Sequence, residues 1–74
     1  MNRRLLEEHL AMAKKHVTLG EANLVRLREV VSELRRHGDD TTQDEMLLAS
    51  FEAMQVIHLE HRNRLRLELN SIQT

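Results

Sequence analysis

Apolar and small residues stand at Leu6, Leu10, Ala13, Val17, Gly20, Leu24, Leu27, Val31 and Leu34, in alternating steps of four and three. This is the seam of a heptad helix held for about four repeats. A second row runs beside it through Leu5, His9, Met12, His16, Leu19, Asn23 and Val30, while Glu7, Glu8, Lys14, Lys15, Glu21, Arg28, Glu29, Arg35 and Arg36 take the opposite side. The semi-apolar arc is wider than a single neighbouring helix covers, which is the pattern of a bundle rather than a two-stranded coil.

The second half of the chain carries a stripe at Leu47, Phe51, Met54, His58, His61, Leu65, Leu69 and Ile72. Another apolar set, Met46, Ala49, Ala53, Val56 and Ile57, projects from nearly the opposite side. One neighbour cannot bury both, so the second set is the expected dimer interface, where small Ala49 and Ala53 admit a close helix. Between the halves, Gly38 follows the basic run Arg35-Arg36-His37 and precedes Asp39-Asp40-Thr41-Thr42, with Thr42 and Glu45 spaced as a capping box. The pattern predicts helix 1 over about residues 3–37, a loop at 38–42 and helix 2 over about 43–72. Gly20 is the one other point of weakness, since Thr18 and Glu21 also have capping-box spacing. Unbroken heptad phase through Gly20 favours a continuous helix. The expected architecture is all-α: a single domain over residues 1–74, an antiparallel two-helix hairpin that dimerises into a four-helix bundle.

Size makes assembly more than an ornament of that reading. A chain of 74 residues rarely draws more than about 3–5 kcal/mol from one core without a further support. There is no cysteine, so disulfides and thiolate metal sites are excluded and a reducing, cytoplasmic setting is expected. No apolar run approaches the roughly 18 residues that span a bilayer, and the start Met1-Asn2-Arg3-Arg4-Leu5-Leu6-Glu7-Glu8 lacks the apolar core of a signal peptide. No membrane association is expected.

Charge and chemistry narrow the field further. Phe51 is the only aromatic residue, so there is no stacking platform for single-stranded nucleic acid. The net charge is −1 but unevenly spread: residues 1–18 and 57–74 sum to +3, and residues 19–56 to −4. Arg62, Arg64 and Arg66 point in different directions around a helix, so a weak nucleic-acid footprint is the least favoured of the readings. Five histidines are many for this length. With a turn at 38–42, residues level across the hairpin would have numbers adding to about 80, setting His61 opposite Gly20 and His58 opposite Asn23. His16, His58 and His61 then fall within about two turns, as a candidate metal or proton-responsive site. The carboxylates that usually complete such a site are missing, and no motif resembles a zinc-hydrolase helix. Semi-buried structural histidines are the plainer explanation. No hydroxyl sits in a glycine-rich strand-to-helix turn, so no catalytic residue is assigned, and an exposed His9 or His37 as a phosphotransfer histidine has no supporting motif.

The run Leu10, Ala13, His16, Gly20, Asn23, then Arg26, Arg28, Glu29, Val30, Val31 and Leu34, then Gly38, Thr41, Leu47, Leu48, Phe51, Glu52, Gln55, His58, Arg62, Arg64, Leu65, Glu68 and Leu69, resembles small uncharacterised helical-hairpin proteins of rhizobia and related α-proteobacteria. That resemblance spans about residues 5–69 and implies a bacterial cytoplasmic setting, with no activity attached. The sequence is thus read as a non-enzymatic interaction or regulatory module, working as a homodimer or with an unidentified protein partner and needing no cofactor. A metal- or pH-responsive protein is the alternative.

Overall fold

The computed structural model describes residues 2–73; Met1 and Thr74, the ends of the expected domain, lie outside the described residues. Two helices pack against each other, α1 over Arg3–Arg36 and α2 over Thr42–Gln73. Asn2 caps α1, its Oδ1 accepting from the Leu5 N–H at 2.9 Å. Helix α1 runs unbroken through Gly20. It ends in a Schellman closure: Gly38 takes φ +77, the Gly38 N–H donates to Leu-adjacent Arg35 O at 3.0 Å and the Asp39 N–H to Leu34 O at 3.0 Å. Glycine is needed there because a Cβ disfavours that left-handed backbone.

Helix α2 starts one residue earlier than the sequence indicates, and its cap is built differently. Thr42 is already helical, and the Glu45 N–H donates to Thr41 O at 2.8 Å. Asp40 Oδ1 accepts from both the Thr42 N–H at 3.0 Å and the Thr42 hydroxyl at 2.7 Å. Those two bonds hold the Asp40 carboxyl below its ordinary value of 3.8. The Thr42–Glu45 box does not form; the Glu45 carboxylate instead accepts from Arg35 across the turn.

The seam on α1 faces α2 as its spacing predicts. Leu6, Leu10, Ala13, Leu24 and Val31 are buried, and Val17, Gly20, Leu27 and Leu34 are half-buried. On α2 the expected stripe is rotated. The packed line is Leu48, Gln55, Arg62 and Leu69, seven residues apart, with His58 and Leu65 alongside. Leu47 and Met54 remain 46% and 51% exposed, and His61 is exposed as well. The reason is that polar Gln55 and Arg62 occupy the central row, so hydrophobicity alone selects its neighbours.

Gln55 also sets the register. Its Nε2 donates to Val17 O at 2.9 Å, and its Oε1 lies where a Cβ of Gly20 would stand. Facing residue numbers in these contacts and in the His16–His58 contact add to 72–75, not to about 80. His61 is therefore not the residue opposite Gly20. The chain doubles back after Gly38 so that buried Thr41 already leans on α1, and α1 overshoots the start of α2 by about one turn.

Candidate interaction surface

Helix periodicity divides the hairpin's exterior into two unlike edges. One is charged. Arg28 pairs with Glu52 at 3.9 Å and Arg35 with Glu45, each bridging the helices. The other edge is apolar. From α1 it takes Leu5, Met12, Leu19 and Val30, and from α2 Leu47, Phe51, Met54, Ile57 and Ile72, all classed as exposed. Among the described residues, helix periodicity places Arg26, Glu33, Asp44, Arg64 and Glu68 as the charged side chains on this flank.

Four of the five histidines, His9, His16, His58 and His61, lie on the same flank. The His16 and His58 rings have centroids 5.5 Å apart and tilt by 45°. His9, Met12, Ala13, His16 and His61 line one open depression. A second depression lies nearer the loop, lined by Asn23, Arg26, Leu27, Val30 and Phe51. His16 and His58 are thus brought together as the sequence suggests, with His61 beside them. His9, which lay outside the sequence-derived set, joins them through its heptad position next to His16. Among the described residues no histidine forms an ion pair with a carboxylate. Nor do any three His, Cys, Asp or Glu side chains among them form a group that could hold a metal ion. Of the His16, His58 and His61 set, His16 and His61 line the depression and His58 lies against His16. His37 is elsewhere, at the C-cap of α1, its Nδ1 3.0 Å from Glu33 O.

The row expected to form the dimer interface is exposed throughout. Met46 is 66% exposed, and Ala49, Ala53, Val56 and Ile57 are exposed too. Ile57 adjoins the histidine flank, whereas Met46, Ala49, Ala53 and Val56 point away from it. The flank was missed at the sequence level because α2's packing face was placed there, which made Leu47, Phe51 and Met54 look internal.

Two measures of the whole chain bear on this surface. Its radius of gyration is 16.8 Å, against about 11 Å for a compact chain of this length. Its accessible area is 5664 Å² for 8.7 kDa, against about 4,700 Å² for a compact monomer. Among the described residues no helix is long and apolar enough to cross a membrane. Compared with protein-family models, curated protein sequences and solved structures, the chain matches none of them.

Proposed function

We propose that this chain is a non-enzymatic helical interaction module whose working form is a homodimer, two hairpins making one four-helix bundle in the cytoplasm. The carrying observation is the unpartnered apolar flank. Nine large apolar side chains line one edge of a hairpin whose area exceeds that of a compact chain by roughly 900 Å². A standard interface removes about 800 Å² per partner. The match in size favours a single partner of similar dimensions. Seven buried apolar residues among those described are a thin core for an isolated chain, so folding and association are coupled.

Light scattering and circular dichroism across a dilution series test this. Twice the chain mass is expected, with helicity falling as the dimer dissociates. A fully helical monomer at low concentration refutes the reading. Ile57→Glu should dissociate the dimer, since it puts an unpaired charge on an apolar contact, whereas Glu60→Lys on the solvated side should not.

A further inference from the structure

We infer that the second copy docks on the histidine-bearing flank with its loop at the opposite end, laying α1 on the partner's α1 and α2 on the partner's α2. This rests on the homodimer proposed above and adds its face and its direction.

Charge sets the direction through the field of the whole ends rather than through the flank, which carries few charges. The open end of the hairpin, residues 1–18 and 57–74, holds seven cations and four acids, and the loop end, residues 19–56, holds four cations and eight acids. Loops placed together superpose +3 on +3 and −4 on −4. Loops placed apart set each positive end on a negative one, the complementary arrangement.

The flank also offers a place for a two-fold axis. The depression between His9, His16 and His61 and the one between Asn23, Val30 and Phe51 lie on either side of the Gly20–Gln55 crossing, at similar distances along α1. An axis crossing the flank near Leu19 and Met54 relates the two halves of the surface, so that the same residues contribute from both copies, as in an isologous interface. His16 then meets the partner's Asn23, His9 the partner's Val30, and His61 the partner's Leu47. Imidazoles face an amide and aliphatic carbon of the partner, with Arg62 and Arg64 of the same copy one turn from His58 and His61.

Because the chain has no cysteine, single introduced thiols report on geometry without background. In the full-length protein, Leu19→Cys and Met54→Cys should each link to its own copy on mild oxidation, both lying near the axis, where the Cα separation of about 4.4–6.8 Å that a disulfide needs is reached. His16→Cys should link to Asn23→Cys when the two proteins are mixed, and Ala53→Cys should stay unlinked. Light scattering under reducing conditions records the mass of each variant first. Loss of the dimer on Leu19→Cys or Met54→Cys also places that position in the interface. If the dimer forms but Ala53→Cys links while Leu19→Cys does not, the interface lies on the Met46–Val56 row. A mixed link of His16→Cys to His58→Cys in place of Asn23→Cys puts the loops at the same end. Either result overturns the inference and leaves the homodimer standing; a monomeric unsubstituted protein overturns both.

Discussion

Gln55 is a polar residue in a position where a heptad asks for an apolar one, and it is only 5% exposed. Its Nε2 bond to Val17 O satisfies half of the amide, but Oε1 has no hydrogen-bond partner among the described residues. It rests where the outward Cα hydrogen of Gly20 points, the arrangement of a C–H···O contact. Gly20→Ala therefore sets two effects against each other. Helix propensity gains about 1 kcal/mol, while displacing a buried amide and its bond costs about 1–3 kcal/mol. Gly20→Ala should lower the melting temperature, and in a Gln55→Ala background the same change should raise it. Thermal melts of the four proteins decide this; a gain from Gly20→Ala in both backgrounds would mean that Gln55 yields freely. Asp40 makes a separate residue-level prediction. Its folded-state pKa is depressed by the Thr42 hydroxyl and N–H, so its contribution is fully present above the ordinary value and is lost as pH falls through the folded one. Between pH 5 and 3 the wild-type protein should lose more stability than Asp40→Asn, and parallel losses would show that the cap contributes nothing.

At the scale of the element, the two helices differ in how openly they state their packing. The seam of α1 and the stop at Gly38 were legible because burial there follows hydrophobicity and a left-handed backbone follows glycine. The face of α2 was hidden because its middle row contains Gln55 and Arg62, whose places are fixed by a bond to Val17 O and by geometry across the hairpin. The clustering of His16 with His58 survived the wrong register because both sit on the same flank, where an error of about one and a half to two turns still leaves them within two turns of each other. The charged edge should matter far less than the seam. Arg28 and Glu52 are about half exposed, so Glu52→Gln should change stability by less than about 1 kcal/mol. Leu6, 1% exposed, is another matter: Leu6→Ala should cost about 2–5 kcal/mol and leave a largely unfolded chain at low concentration. Denaturant titrations of the two variants provide the comparison, and equal effects would contradict the observed packing.

For the whole molecule, a flank that carries His9, His16, His58 and His61 among exposed apolar side chains should not tolerate added charge. Replacing any of the four by Glu should raise the dissociation constant of the dimer, and an unaltered constant would remove that histidine from the interface. The cluster of Leu6, Leu10, Ala13, Leu65 and Leu69 has a consequence in time as well as in energy. It fastens the hairpin at the end farthest from its turn, joining residues that are more than fifty positions apart in the chain. Closing so long a loop directly is entropically unfavourable, so the hairpin gains this packing only after its helices have paired outward from Gly38. Its amides should then show an inverted exchange profile, with slower deuterium uptake around Leu10 and Leu65 than around Glu33 and Asp44, although the former lie nearer the chain ends.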